Sequence, residues 1–271
     1  MKELNLKEIQ SASFEILKKV VEICESNIIN YSLAYGSMLG AIRHKGIIPW
    51  DDDIDIMMSR PEYDKLMAYW KEHESELMPL RVINMDTVKN YPYMITRISD
   101  DRYWLDVDNE DDFGLGTFID IYIFDGAGKT KEEGEKKLKQ TIKYPSLIFL
   151  STRQRVVKGI TTNPLLLCIK PLVFLFAKAV GKNYFVKKLL SKVDTVYDEC
   201  DYVACLTWAS DSPTVAKKSD FEETILVPFD GIECRVPKNY DWFLREWYGE
   251  YMTPPPPEKQ FQHHFYKAYK K

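Results

Sequence analysis

Residues 51–56 read Asp51-Asp52-Asp53-Ile54-Asp55-Ile56, a carboxylate cluster whose last two aspartates alternate with isoleucines. On a β-strand, alternate side chains share one face, so Asp53 and Asp55 are predicted to point together. Ile54 and Ile56 would then anchor the other face in the core. Neighbouring hard oxygen ligands suit Mg²⁺, or Mn²⁺, better than Zn²⁺. The segment therefore predicts a strand that carries a metal site.

Two other segments complete this site. Gly36-Ser37 lies upstream in a predicted strand, turn and helix, where backbone N–H groups and a hydroxyl suit phosphate binding. A third acidic residue, Asp120, lies between apolar residues in Phe118-Ile119-Asp120-Ile121. A neighbouring strand would bring Asp120 beside the other two aspartates. Asp53, Asp55 and Asp120 are the predicted metal ligands and catalytic residues.

The acidic run has other interpretations. Its spacing also resembles the opening of a calcium-binding loop, but that loop needs glycine at its sixth position, where this chain has Ile56. A solvated turn explains Asp51 and Asp52 better than metal ligation does. These two aspartates are therefore kept only as further candidates.

Basic residues near the cluster are candidates for binding donor phosphates. Arg43, His44 and Lys45 follow the Gly-Ser turn, and arginine is favoured because it makes bidentate contacts. An exposed helix end is the alternative explanation for all three. Arg97 is a weaker candidate, since a surface ion pair explains it nearly as well.

Hydrophobic periodicity predicts an α/β (α+β) fold, in which a mixed β-sheet is flanked by helices. Asp230-Gly231 between two apolar runs predicts a hairpin of residues 224–229 and 232–236. The chain is divided into a core (about 1–128), a helical insertion (about 129–200) and a C-terminal hairpin with tail (about 201–271). The other predicted strands are 31–35, 81–84, 93–98, 103–107 and 118–124, and the predicted helices are 4–24, 61–70, 129–143, 184–199 and one from about 239.

Composition favours a folded enzyme. The chain has 271 residues, of which 45% are hydrophobic, and this is enough for one large catalytic domain. A formal net charge of -4 argues against nucleic-acid binding. Five cysteines without a C-x-x-C pair, and an N-terminus without an uninterrupted apolar core, predict a reduced, cytoplasmic protein.

One apolar segment raises the question of a membrane. Residues 164–180 are strongly apolar but contain Lys170, Pro171 and Lys178, whereas a span needs about 20 predominantly apolar residues. A buried or substrate-covering helix is therefore favoured over membrane contact, and both are favoured over a span. The surrounding lysines keep peripheral contact with anionic lipid as an open alternative.

These motifs together resemble the nucleotidyltransferase fold, and more closely the LicD family. The run of residues 35–56, YGSMLGAIRHKGIIPWDDDIDI, is similar to the signature of that family. Residues 118–121 and the tail from Tyr248 to Pro255, continuing through His263 and His264, match it as well. The resemblance makes His263 and His264 further site candidates without an assigned role.

The LicD resemblance implies a phosphotransferase. Its expected reaction moves phosphocholine, or a related phospho-alcohol, from a CDP-linked donor such as CDP-choline to a hydroxyl of a cell-surface glycan precursor, and CMP leaves. Mg²⁺ held by the three aspartates would neutralise the donor diphosphate. The acceptor would be a glycan or a lipid-linked glycan of teichoic-acid or lipopolysaccharide type, which would place a cytoplasmic enzyme at the inner face of the membrane.

Two other functions remain open. A nucleotidyltransferase would move NMP from an NTP to a sugar phosphate or small alcohol and release pyrophosphate. A noncatalytic module would bind choline-containing ligands or metal, although the intact set of three aspartates argues against it.

Overall fold

The computed structural model describes residues 1–156, 164–193, 196–208, 213–260 and 266–271, with the backbone alone for residues 164–168. The strands are β1 (Lys2–Glu3), β2 (Ser32–Leu33), β3 (Asp55–Ser59), β4 (Leu80–Ile83), β5 (Thr96–Asp100), β6 (Tyr103–Val107), β7 (Thr117–Gly128), β8 (Tyr202–Ala204), β9 (Val215–Lys217), β10 (Thr224–Phe229), β11 (Ile232–Pro237) and β12 (Tyr266–Lys270).

Helices alternate with these strands along the chain. The α-helices are α1 (Leu6–Ser26), α2 (Tyr35–His44), α3 (Arg60–Glu72), α4 (Glu74–Leu77), α5 (Lys131–Thr141), α6 (Lys143–Thr152), α7 (Pro164–Val180), α8 (Lys182–Val193), α9 (Lys218–Glu222) and α10 (Tyr240–Tyr248). Short 3₁₀ turns lie at Tyr197–Glu199 and Pro257–Lys259. The predicted α/β class is confirmed.

The central sheet is mixed. Its strands lie in the order β2-β3-β7-β5-β4, with β3 and β7 parallel and the other neighbours antiparallel. The second half of β7 pairs with β8, which in turn pairs with β9. β12 lies between β1 and β6 in a second sheet. The first part of β7, between β3 and β5, is therefore central in the sheet.

The core explains why the isoleucines of the acidic segment are needed. Ile54 and Ile56 are at most 1% exposed and belong to the main hydrophobic cluster together with Ile119 and Ile121 of β7. Burying a side chain of this size stabilises a protein by about 1.5–3 kcal/mol. The predicted anchoring of this segment by its isoleucines is confirmed.

Several predicted element boundaries differ from the structure. The strand predicted at 31–35 is only Ser32–Leu33, because α2 already begins at Tyr35. The strand predicted at 93–98 begins at Thr96. The helix predicted to continue to Glu199 does not do so, since Val196 is extended and a 3₁₀ turn follows. β-branched residues such as Val196 restrict the helical side-chain rotamers, which favours this break.

Helices α5–α8, here called the helical layer, lie between β7 and β8 in the sequence. The chain leaves the sheet after β7, forms this layer, and returns to the sheet as β8, which pairs directly with β7. This placement agrees with the predicted insertion, while the division into domains stays a prediction. Among the described residues, none of the helices has both the length and the apolar character that a bilayer span requires.

The Asp230-Gly231 hairpin is confirmed, and it also supports the segment between α2 and β3. Both residues have positive φ, 47° and 88°, as a two-residue hairpin turn requires. Asp230 Oδ2 accepts a hydrogen bond from the Ile47 N–H at 2.8 Å. The Asp230 N–H donates to the Lys45 carbonyl at 2.9 Å. The hairpin therefore fixes the segment between α2 and β3.

Replacing Asp230 with alanine should destabilise this connection. We expect Asp230→Ala to lower the free energy of unfolding by about 1–2 kcal/mol, because it removes an acceptor and puts alanine at positive φ. Asp230→Asn is the matched control, since asparagine keeps a side-chain oxygen and tolerates the left-handed region. Equilibrium urea denaturation measures both variants. Equal stability of the alanine variant and the wild type would show that the hairpin does not support the loop.

Candidate active site

Three consecutive aspartates meet in a loop just before β3, which we call the acidic loop (residues 51–53). Each offers a carboxylate oxygen, and these oxygens lie within 4.8 Å of one another. Asp51 and Asp52 lie in a loop, as predicted, but Asp52 is buried rather than solvated. Like charges this close repel one another, and a bound cation would relieve the repulsion. The acidic loop is therefore a candidate cation site.

The position of Asp53 differs from the prediction. β3 begins at Asp55, so Asp53 lies before the strand and the two aspartates do not share a strand face. The chain nevertheless reaches the sheet at Ile54, whose carbonyl accepts a hydrogen bond from the Asp120 N–H at 2.9 Å. The change from loop to strand thus falls within the acidic segment of residues 51–56.

Distant side chains hold the acidic loop in its conformation. Gln10 Nε2, on α1, donates to the Asp51 carbonyl at 2.7 Å. The Tyr266 hydroxyl, on β12, donates to the Asp52 carbonyl at 3.0 Å. Because these bonds satisfy backbone carbonyls that a strand would have paired, the loop does not need sheet partners.

Asp55 and Asp120 lie side by side below the acidic loop. They are register partners in the parallel pairing of β3 and β7, and they are 6% and 3% exposed. Asp55 Oδ1 has no hydrogen-bond partner among the described residues. Burial, and then the charges of Asp53, Asp120 and Asp51, raise the pKa of Asp55 well above its ordinary value. This carboxylate is in an environment that favours either a proton or a bound cation.

Gly36 and Ser37 lie in the first turn of α2, against the carboxylates. A Cβ atom on Gly36 would come within 2.6 Å of Asp51 Oδ2, so glycine permits the close approach of helix and acidic loop. The Ser37 hydroxyl accepts a hydrogen bond from the Asp55 N–H at 2.8 Å. Ser37 thus positions β3, and its predicted contact with phosphate stays a prediction.

The basic residues of the motif lie at the other end of α2. Arg43 Nη1 donates to the Tyr251 carbonyl at 2.8 Å, and burial lowers the pKa of Arg43. Burial, and then the Arg43 charge, also lower the pKa of His44. Lys45 is exposed and ends the helix in the left-handed conformation. Helix rise separates these residues from the first turn of α2 by about 10 Å.

Tyrosines surround the carboxylates, and the sequence analysis did not assign them. Burial and then the Asp55 charge raise the pKa of Tyr122. Tyr35 packs edge-on against Tyr122, with ring centroids 4.9 Å apart. Tyr248, the last residue of α10, is 43% exposed and lies three residues before Tyr251, whose carbonyl accepts the Arg43 hydrogen bond. The family resemblance of the tail that begins at Tyr248 was the one sequence signal for these tyrosines.

Arg97 is buried beside Asp120. Its Nε donates to Asp120 Oδ1 at 2.8 Å, and its guanidinium lies over the rings of Tyr93 and Phe118 at 4.4 and 4.1 Å. At 8% exposure it is not part of a surface ion pair, so that alternative is wrong. Burial acts to lower the pKa of Arg97, but the charge of Asp120 outweighs this and the pKa is raised. Arg97 therefore fixes one oxygen of Asp120.

Two predicted site residues cannot be placed, because His263 and His264 lie outside the described residues. The remaining donor set fits a hard divalent cation. Its first part is the close group of Asp51, Asp52 and Asp53, all at least partly buried. Its second part is Asp55, whose Oδ1 has no hydrogen-bond partner in the described part of the chain. Such oxygen ligands suit Mg²⁺.

A mixed sheet that presents carboxylates against the first turn of a helix defines a class of protein, the transferases of the nucleotidyltransferase fold. Residues 28–163, about half of the chain, match the family described as LicD/FKTN/FKRP, nucleotidyltransferase domain. The chain belongs to the LicD family and is a LicD-like phosphotransferase.

Relatives extend this similarity over the whole chain. The lipopolysaccharide cholinephosphotransferase LicD of Haemophilus influenzae is 29% identical over 279 aligned residues, which cover 99% of each chain. Uncharacterized proteins of Rickettsia prowazekii and Rickettsia typhi are each 46% identical over 43 residues, or 16% of this chain and 16% and 14% of theirs.

Proposed function

We propose that the protein transfers phosphocholine, or a related phospho-alcohol, from a CDP-linked donor to a hydroxyl of a cell-surface glycan precursor and releases CMP. The observation that carries this proposal is the close group of three carboxylates in the acidic loop, directly before the strand in which Asp55 is the register partner of Asp120. The chain that holds them is similar over 99% of its length to a lipopolysaccharide cholinephosphotransferase. The acceptor class is a teichoic-acid or lipopolysaccharide precursor, and the location is the cytoplasmic side of the membrane.

The acidic loop and Asp55 would hold the cation, with the second oxygen of Asp120 completing the set. Mg²⁺ bound there would neutralise charge on the donor diphosphate and stabilise the leaving CMP. Arg97 fixes the orientation of Asp120 through its hydrogen bond to Oδ1. Gly36 allows the first turn of α2 to approach the acidic loop closely. The N–H groups of this turn favour anions, so they would bind the donor diphosphate.

The residues around the carboxylates would orient the two substrates. The acceptor oxygen attacks the phosphorus that carries the head group, the bond from that phosphorus to the CMP oxygen breaks, and a carboxylate of the site takes the hydroxyl proton. Arg43, which is bonded to the tail after α10, would bind the donor together with Tyr248. Holding both substrates in line accounts for a large part of catalysis in phosphoryl transfer.

A thermal-stabilisation panel tests the donor class. We expect Mg²⁺ with CDP-choline, or with one other CDP-alcohol, to stabilise the wild type by about 2.7 kcal/mol at a hundred times its dissociation constant. Asp53→Asn should lose this stabilisation because it removes a ligand from the acidic loop. Asp198→Asn, an exposed site far along the chain, is the control that should keep it.

The same panel discriminates between the functions. CDP-ethanolamine and CDP-glycerol test which head group is bound, while CTP and ATP test nucleotidyl transfer. Nucleotidyl transfer is the second candidate because the matching family is described as a nucleotidyltransferase domain. Stabilisation by a triphosphate alone would replace the proposed reaction with transfer of a nucleotidyl group. Metal-independent binding of every ligand would count against the acidic loop as the cation site.

A further inference from the structure

Charge is segregated along this chain. All 13 charged residues between Lys136 and Val193 are lysine or arginine, although the whole chain has 41 acidic and 37 basic residues. This stretch contains almost all of the helical layer. A protein with a negative net charge thus has one strongly basic part, which would be attracted to an anionic surface.

The helix α7 in this basic part has an exposed apolar face. Ile169, Leu172, Leu175 and Phe176 are 41%, 65%, 61% and 55% exposed. Their spacing of three and four residues places them on one side of the helix. Lys178 is exposed at the border of this face. Exposed apolar residues that adjoin in this way mark an interaction surface rather than scattered surface positions.

The opposite side of α7 is already packed. Ala177 is buried in a cluster with Ile148 of α6 and with Phe185 and Leu189 of α8. Phe174 is 9% exposed and also faces inward. The helix is therefore held firmly by the helical layer, and its exposed face is not needed for folding onto the rest of the protein.

We propose that the exposed face of α7 docks this protein on an anionic phospholipid bilayer. An apolar helix face flanked by basic residues enters the interface of a membrane while its charges meet the lipid headgroups. The helix lies on the bilayer and does not cross it, in agreement with the absence of a spanning helix among the residues that the structure describes.

Charge complementarity selects a bilayer over a second copy of this chain. In an isologous dimer, the same basic residues from both copies would lie near one another and repel. An anionic lipid surface instead attracts them. The docking does not depend on which reaction the active site performs.

The helical layer also connects to the active site. Arg153, at the end of α6, pairs with Glu110 at 2.5 Å while both side chains are at most 4% exposed. Glu110 in turn accepts a hydrogen bond from the Tyr93 hydroxyl, and Tyr93 lies against Arg97. A membrane that holds α7 would therefore fix the orientation of the catalytic carboxylates relative to the lipid surface.

Vesicle flotation of the full chain tests this proposal. We expect the wild type to bind vesicles that contain phosphatidylglycerol roughly tenfold more strongly than vesicles of phosphatidylcholine alone, and salt should reduce the difference. The double variant Leu172→Ser/Phe176→Ser should lose roughly tenfold or more of the binding, since two exposed apolar side chains no longer enter the interface. Leu226→Ser/Met252→Ser is the matched control, because these residues are also exposed and lie outside the helical layer.

Two further measurements make the result decisive. Circular dichroism and thermal unfolding must show that both double variants fold like the wild type, as substitution at exposed positions predicts. Lys187→Gln/Lys188→Gln should weaken binding in low salt and leave little difference in high salt. Unchanged vesicle binding of the α7 variant would overturn the proposal. A wild-type dimer that becomes a monomer in the α7 variant would also overturn it, since a second copy would then cover the face.

Discussion

Asp55→Asn is expected to lower turnover roughly a thousandfold, which corresponds to about 4 kcal/mol of lost transition-state stabilisation. Asparagine has nearly the same shape but lacks the charge that would hold the cation. Asp55 is also the best supported of the candidate ligands, because its Oδ1 is buried without a hydrogen-bond partner in the described structure. The measurement is CMP release from CDP-choline in the presence of an acceptor glycan.

The same substitution should have the opposite effect on stability in the absence of metal. Burial and the neighbouring carboxylates raise the pKa of Asp55 above its ordinary value of 3.8, so its charged form is unfavourable in the folded protein. The metal-free wild type should therefore lose stability as the pH rises from about that ordinary value through the raised one. Asp55→Asn removes this dependence.

These two readouts separate a site residue from a structural one. A variant that is inactive yet at least as stable as metal-free wild type would agree with a cation ligand. Asp198→Asn, the exposed control, should change neither turnover nor stability. Wild-type turnover in Asp55→Asn would remove Asp55 from the catalytic machinery and require another set of ligands.

Arg97→Met should produce the largest loss of stability, about 3–5 kcal/mol, because it leaves the buried Asp120 carboxylate without its partner. Arg97 and Asp120 are 8% and 3% exposed, so solvent screens this pair little. The aromatic rings of Tyr93 and Phe118 do not replace the lost positive charge. Equilibrium urea denaturation measures the effect.

A second substitution shows whether the uncompensated charge is the cause. Arg97→Met/Asp120→Asn should recover part of the lost stability, since the double variant no longer buries a lone carboxylate. Arg245→Ala is the control for an ion pair in solvent, where the loss of stability should be far smaller. If the single and double variants were equally unstable, lost packing rather than charge would explain the result.

Local patterns were sufficient to predict much of the fold. The hairpin followed from Asp230-Gly231, whose positive φ angles are a property of those two residues. The alternation of Ile54 and Ile56 predicted the buried segment at the start of β3, because burial on one face has a period of two residues. Helix α3 was predicted from Pro61 and confirmed with bounds that differ by one or two residues.

The site itself depends on contacts that local patterns do not contain. The strand position of Asp53 was predicted wrongly, because bonds from Gln10 and Tyr266 stabilise a loop there. The pairing of Arg97 with Asp120 follows from the register of β5 on β7. Register joins residues far apart in sequence, so a single chain read in order predicts the residue types of the site better than their partners.

The bond from Tyr266 to the acidic loop also has a consequence for the timing of synthesis. The two partners, Tyr266 and Asp52, are 214 residues apart. A ribosome adds about 5–20 residues per second, so roughly 10–40 s pass between the synthesis of the loop and that of its last support. The loop is therefore incomplete during this interval, and a nascent chain gains this support for the acidic loop only after Tyr266 has been made.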